Sequence, residues 1–316
     1  YLLGKKNIDQ GLSKKIFYKE KDNSVWIDLK NEKIDKKLLI RSDGTSVYMT
    51  QDIGTAIKRF EDYPKSEKQI YTVGNEQDYH FKVLFKILEK LGYSWAKECY
   101  HLSYGMIDLP DGKMKSREGT VVDADELIML MKETAKNRTI ELGKIDDFDS
   151  KDLERLYNII ALSALKYHLL KVDPRKRILF NPDESIDFQG NTGPFIQYTF
   201  ARIQSILKRA KMLKISLKNL NFDNIKKLSV NEKKIIDLIL NYTNNLVKSA
   251  ETYSPSIMCN YVYELSKTYN SFYQEKKIFD GKNNETTIFK IALSEMTSKV
   301  IRSCLKTLGI DVVNKM

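Results

Sequence analysis

The chain is poor in the residues that build metal centres and covalent frameworks. Its 316 residues include three cysteines and three histidines. Cys99, Cys259 and Cys304 lie far apart without a C-x-x-C pair, and His80, His101 and His168 do not supplement them at ligand spacing. That spacing excludes a recognisable zinc site or disulfide framework. The isolated thiols read as small buried apolar residues in a reducing compartment. No run of eighteen apolar residues and no signal-peptide pattern occurs, so the expected location is the cytoplasm, with no membrane association. There is no repeat at a fixed period and no low-complexity tract. A capping signal is also missing from the first residues, and Tyr1 stands where a Met would open a gene product, so a longer polypeptide is expected.

What is present is an ordinary globular balance, 42% hydrophobic and 30% charged, with length enough for two domains. The net charge of +11 is unevenly spread: residues 1–150 hold 26 Lys+Arg and 26 Asp+Glu, whereas residues 151–316 hold 27 and 16. A biased genome makes lysine common everywhere. An excess confined to one half instead favours a face that binds a polyanion.

Residues 1–145 alternate strand-like and helix-like segments and read as an α/β domain. Leu38–Ile40 form a short strand, Asp43-Gly44 a turn, and Ile53, Ala56, Ile57 and Phe60 the inward face of a helix after Asp52. Residues 70–73 predict a buried strand ending at Gly74. Phe81, Leu84, Phe85 and Leu88 predict a helix that Gly92 stops. A strand follows over about 100–107, then a loop with Pro110, Gly112 and Gly119, and strand character again at 120–122. Asp123 and Glu126 then form a capping pair that opens another helix. The acidic segment 143–150 lacks apolar periodicity and marks the boundary of a second domain, 146–316. There, helices are predicted over about 151–171, 194–214, 231–250, 255–274 and 286–308, forming an all-α bundle.

Four stretches carry chemistry. In Arg41-Ser42-Asp43-Gly44-Thr45-Ser46-Val47-Tyr48-Met49-Thr50-Gln51-Asp52-Ile53-Gly54, Asp52 reads either as a helix N-cap or as a carboxylate that grips a guanidinium, with Tyr48 beside the same ligand. This stretch resembles the segment of arginyl-tRNA synthetases in which a tyrosine and an aspartate recognise arginine. Tyr48 and Asp52 match those positions. In Val73-Gly74-Asn75-Glu76-Gln77-Asp78-Tyr79-His80, Gln77 takes the place of a glutamine that the family uses against the substrate. His80 matches a histidine three residues on, expected at the ATP site. By chemistry alone Gln77 is a polar turn residue and His80 a half-buried structural histidine.

The third stretch, from Gly105 to Thr120, reads blandly as a solvated basic turn. Its cations also suit the triphosphate of ATP, where charge moves onto the departing pyrophosphate. It resembles the mobile Lys-Met-Ser-Lys-Ser loop of class I aminoacyl-tRNA synthetases, with Lys113, Met114, Lys115, Ser116 and Arg117 aligned. Ser116 stands where many class I enzymes place the second lysine, so Lys113, Lys115 and Arg117 all remain candidates for phosphate stabilisation. Gly105 and Met106 are similar to the backbone that lies against adenine. The other class I signature, His-x-Gly-His, is absent from this sequence.

The fourth stretch runs from Ala164-Leu165-Lys166-Tyr167 through Lys171–Lys176 to Phe188–Ile203. Pro194 suits a first helical turn. Ile196, Phe200, Ile203 and Leu207 make an apolar stripe, and Tyr198, Arg202, Ser205 and Arg209 share another face. From Ala201 to Leu220 there are six Lys+Arg and no acidic residue. The bland reading is an amphipathic helix with a solvated face; interleaved rings and cations also stack unpaired bases and hold phosphates. The run resembles the opening of the anticodon-binding bundle shared by arginyl, cysteinyl and methionyl synthetases, and the end of the chain resembles the end of arginyl enzymes. Gln197, Tyr198, Arg202 and Arg209 are the candidate tRNA contacts.

The resemblance implies the second half of a class I Rossmann-like nucleotide-binding domain followed by a helical anticodon-binding bundle. It further implies arginine–tRNA ligase activity with L-arginine, ATP carried with Mg2+ as substrate, and tRNA-Arg as partners. A monomer with no tightly bound cofactor and no resident metal is expected. By itself this stretch is expected not to activate arginine. Another class I synthetase with the same bundle is a weaker reading, the cysteinyl enzyme least of all because no thiolate metal cluster is present. A non-catalytic tRNA-binding module derived from a class I synthetase is the alternative from another class.

Overall fold

Glycine decides how the first helix packs. In the computed structural model, α1 (Leu2–Ser13) lies on α2 (Tyr48–Asp62) so closely that a Cβ on Gly4 would come within 1.9 Å of the Thr50 carbonyl oxygen. Only a residue without a side chain permits that approach. The structure describes residues 2–108, 123–141, 143, 148–217, 225, 227–279 and 285–316.

Between these helices, β1 (Tyr18–Lys19), β2 (Val25–Ile27) and β3 (Lys37–Ile40) form an antiparallel sheet in that order. Val25, Ile27 and Leu39 are buried under the helices. The Thr50 hydroxyl donates to the Leu39 carbonyl, which ties β3 to the first turn of α2. β4 (Gln69–Gly74) and β5 (Cys99–Tyr104) are parallel, in register from Gln69 opposite Cys99 to Gly74 opposite Tyr104. Parallel neighbours need a crossover, and α3 (Asp78–Leu91) provides it, burying Phe81, Val83, Leu84, Ile87 and Leu88. Gly92, at φ +94°, ends the helix in the left-handed conformation glycine adopts without strain. β4 was expected to be buried; instead Ile70 and Thr72 are exposed, because α3 covers one face only.

The strand expected over about 100–107 is split. After Tyr104 the chain leaves β5, and β6 (Ile107–Asp108) pairs in parallel with β7 (Ile178–Leu179). Arg177 forks onto both carboxylate oxygens of Asp108 beside that pairing. α4 (Ala124–Glu141) begins where Asp123 accepts the Asp125 N–H, and packs against α5 (Ser150–Leu170) around Met131, Ala135, Leu156, Ile160 and Phe180. The strand character at 120–122 lies outside the described residues.

After the short α6 (Pro182–Ser185), helices α7 (Gly193–Met212), α8 (Val230–Leu240), α9 (Tyr242–Glu251), α10 (Pro255–Glu275) and α11 (Glu285–Thr307) build a bundle. Its core gathers Tyr167, Phe200, Val262, Tyr269, Phe272 and Ile301. Thr192 and Ser229 cap α7 and α8 through their hydroxyls, Ser229 in a full capping box with Glu232. The single helix expected over 231–250 is two. Asn241 interrupts it: its backbone N–H is shared between the Asp237 and Leu238 carbonyls, and its side chain also donates to the Asp237 carbonyl at 2.9 Å. Two compact units result, Tyr1–Met106 and Ile107–Met316. The compact units divide before α4 because α4 packs on α5 and β6 on β7.

Candidate functional site

In the first unit the candidate residues gather at strand and helix ends. α2 begins at Tyr48, and Val47 is its N-cap with no side-chain bond. Asp52 therefore stands one turn inside the helix and caps nothing, which corrects the capping reading. Tyr48 and Asp52 are four residues apart and share a face. Tyr48 is 82% exposed. The Asp52 carboxylate is 44% exposed, and its Oδ2 lies 2.6 Å from His80 Nε2 on α3.

Gln77 closes the short turn Asn75–Gln77 and is the N-cap residue of α3, yet its exposed amide makes no capping bond. Gly74 and Gln77 follow β4, while buried Gly105 and exposed Met106 follow β5. Both groups emerge at the carboxyl ends of adjacent parallel strands, where open α/β sheets bind their ligands. His80, expected beside ATP, is turned to Asp52 and meets the edge of Phe81. His101 was not singled out by sequence reasoning. It bonds the Val73 carbonyl at 3.0 Å and lies 3.3 Å from Asp78, bracing the end of β4. Lys113, Met114, Lys115, Ser116 and Arg117 lie outside the described residues.

The second unit holds a groove of about 580 Å³ between α7, the end of α10 and the end of the chain. Tyr198, Arg202, Ser205 and Arg209 all line it, so the face inferred from helical spacing is one surface. Arg202 sits 4.9 Å from the ring centres of both Tyr198 and Tyr273, and its guanidinium donates to Asn270. Asn270 in turn donates to Thr199 at 2.8 Å, which fixes the cation's position. Arg209 lies 4.8 Å from the Phe279 ring. Lys276, Lys277 and Lys315 also line it, and among the described residues no Asp or Glu side chain does. A second hollow of about 550 Å³ shares Tyr198 and Arg202 with Phe188, Gln189 and Phe195. Rings beside a fixed cation and further basic side chains suit unpaired bases and their phosphates.

Gln197 does not belong to this surface. It is fully buried, and its Nε2 donates to the Asp311 carbonyl at 2.7 Å. With Lys166, which donates to the Gly309 carbonyl at 2.6 Å, it anchors the final segment that forms one wall of the groove. Tyr273, Phe279 and the three lysines are the residues missed. They stand at no helical spacing from Tyr198, so periodicity gave no signal for them.

All three cysteines are buried, and burial pushes the thiol of Cys99 up to about 11 and that of Cys259 up to about 12. Among the described residues no group of three or more His, Cys, Asp or Glu is placed to hold a metal ion. Nor is any described helix long and apolar enough to cross a membrane.

Residues 5–181 match the family model described as tRNA synthetases class I (R), catalytic domain. Residues 196–316 match the DALR anticodon binding domain. The chain is 51% identical over 317 residues to the arginine–tRNA ligase of Flavobacterium psychrophilum, covering all of this chain and 52% of that protein. It is 50% identical over 316 residues to that of Phocaeicola vulgatus, again covering all of this chain and 52% of the relative. Among solved structures, Thermus thermophilus arginyl-tRNA synthetase superposes with a TM-score of 0.85 at 21% identity, over 99% of this chain and 58% of that one. The chain thus spans about half the length of the curated relatives it matches. The half that it spans runs from the class I catalytic domain into the DALR bundle, and on those matches the chain belongs to the arginyl-tRNA synthetase family.

Proposed function

We propose that the full gene product is an arginine–tRNA ligase, in which residues 1–145 supply the second half of the catalytic domain and residues 146–316 bind the anticodon region of tRNA-Arg. The observation that carries this reading is the Asp52 carboxylate, fixed on one side by His80 and half-open on the other, with Tyr48 one turn away. A fork of two N–H donors fits such a carboxylate edge, and its negative charge selects a guanidinium over neutral side chains. Gln77 and the turn after β4 orient the rest of arginine. Gly105 and Met106 lie along adenine. Lys113, Met114, Lys115, Ser116 and Arg117 meet the phosphates of ATP, which arrives with Mg2+.

The reaction runs in two steps. The arginine carboxylate attacks the α-phosphate of ATP, giving arginyl-adenylate and pyrophosphate. A terminal ribose hydroxyl of tRNA then attacks the arginyl carbonyl, and AMP leaves. Positioning and charge stabilisation carry both steps, so no protein nucleophile is required. The protein acts in the cytoplasm as a monomer, without a tightly bound cofactor.

The test is ATP-dependent charging of tRNA-Arg by the full gene product, with Asp52→Asn beside it. Losing one charge of a buried pair costs about 3–5 kcal/mol, but the half-exposed carboxylate calls for a discount, to about 2 kcal/mol. That corresponds to roughly a thirtyfold loss in kcat/KM for arginine with the KM for ATP unchanged. Equal arginine use by the variant rejects the site, and an absence of charging with intact tRNA binding favours the non-catalytic module.

A further inference from the structure

Resting on the arginine site just proposed, we infer that His80 is a positioning residue for the substrate guanidinium, acting through Asp52 and not through ATP. An ionised carboxylate only accepts, so the proton in the 2.6 Å contact sits on His80 Nε2. One lone pair of Asp52 Oδ2 is then occupied, while Oδ1 and the other lone pair of Oδ2 remain for an incoming fork.

The two side chains are unequally exposed, His80 at 19% and Asp52 at 44%. The imidazole is therefore the fixed member. Its ring abuts Phe81, which is packed on Tyr71, Phe85 and His101 beneath it. Asp52, on an exposed helix face, has no other hydrogen-bond or ion-pair partner among the contacts described around it. Without the imidazole its carboxylate turns freely among rotamers, and the guanidinium has to select one of them. That cost falls on arginine alone, because the group being ordered touches only arginine.

The experiment uses the full gene product with three variants, each checked for an unchanged thermal melt. His80→Phe keeps the ring and its packing but removes the donor. His80→Gln places an amide N–H where Nε2 stood. Asp52→Asn tests the underlying site. Losing a charge-assisted hydrogen bond predicts a rise in the KM for arginine of roughly tenfold or more in His80→Phe. The KM for ATP should be unmoved, and most of the loss should be recovered in His80→Gln. A histidine that contacts ATP would instead raise the KM for ATP, and that result overturns the inference. So does a His80→Phe enzyme with a normal KM for arginine when Asp52→Asn is impaired, which would leave the arginine site standing without His80. If Asp52→Asn itself binds arginine normally, the site reading has failed, and the His80 inference fails with it. A uniform drop in kcat with both KM values fixed also refutes it, since that pattern belongs to a general structural role.

Discussion

Salt is the perturbation that separates an RNA-binding groove from a basic surface of no consequence. Among the described residues, five cations line the groove of the helical unit: Arg202, Arg209, Lys276, Lys277 and Lys315. On single-stranded nucleic acid each phosphate contact contributes about −0.7 to the slope of log K against log salt, so five contacts give about −3.5. Raising monovalent salt fourfold, from roughly 50 to 200 mM, should then weaken binding of an anticodon stem-loop about 100-fold. The double variant Arg209→Gln, Lys277→Gln removes two of the five charges without touching the Arg202–Asn270–Thr199 chain that fixes the groove's centre. Its slope should flatten to about −2, leaving a loss of about 20-fold over the same range. Fluorescence anisotropy with a labelled stem-loop, titrated at four or five salt concentrations, measures both slopes. A flat wild-type slope refutes the electrostatic argument. A double variant with the parent's slope moves the phosphates away from this groove. Equal affinity for unrelated anticodon loops at every salt concentration would leave a cationic surface that reads nothing.

Three further outcomes follow from particular residues. A Cβ on Gly193 would stand 2.5 Å from the Ser163 carbonyl oxygen, so Gly193→Ala must push α7 off α5; chemical denaturation should show a loss of about 1–3 kcal/mol, and an unchanged midpoint would mean the two helices separate freely. Burial, with the neighbouring Lys171 charge, holds His168 below its ordinary value of 6.5. Its folded form resists protonation, so the stability it contributes is present above pH 6.5 and is lost as pH falls through the depressed folded value. Melts between pH 7.5 and 5.5 should decline less steeply for His168→Gln than for the parent, and parallel declines would clear His168 of the effect. The 316-residue chain by itself, containing no His-x-Gly-His, should give no arginine- and tRNA-dependent exchange of pyrophosphate into ATP. Positioning contributes roughly 7–11 kcal/mol to such a step, and exchange at the rate of the full gene product would show a complete centre within this chain.

How far the sequence predicts this molecule depends on whether the deciding interaction is local. Helices α5, α7, α10 and α11 could be read to within a residue or two because their signals are internal: apolar period, Pro194 and Pro255 at first turns, polar connections. The break at Asn241 escaped, since an N–H shared between two carbonyls and a side chain folded back onto Asp237 are matters of geometry and leave the apolar pattern unchanged. The start of α2 at Tyr48 escaped for a similar reason, as Thr50 reaches across to Leu39 in a strand eleven residues earlier. Gln197 is different, because the information was there. Successive helical residues are turned by about 100°, so the spacing that puts Tyr198, Arg202 and Arg209 on one face carries Gln197 toward the core side with Ile196 and Phe200, where the structure has it. The Asp52–His80 contact joins residues 28 apart on separate helices. Neither residue type nor spacing distinguishes a histidine that faces ATP from one that steadies a carboxylate, and only the crossover through α3 brings the two together. Resemblance singled out both residues, and packing supplied the relation between them that the His80 and Asp52 variants are designed to test.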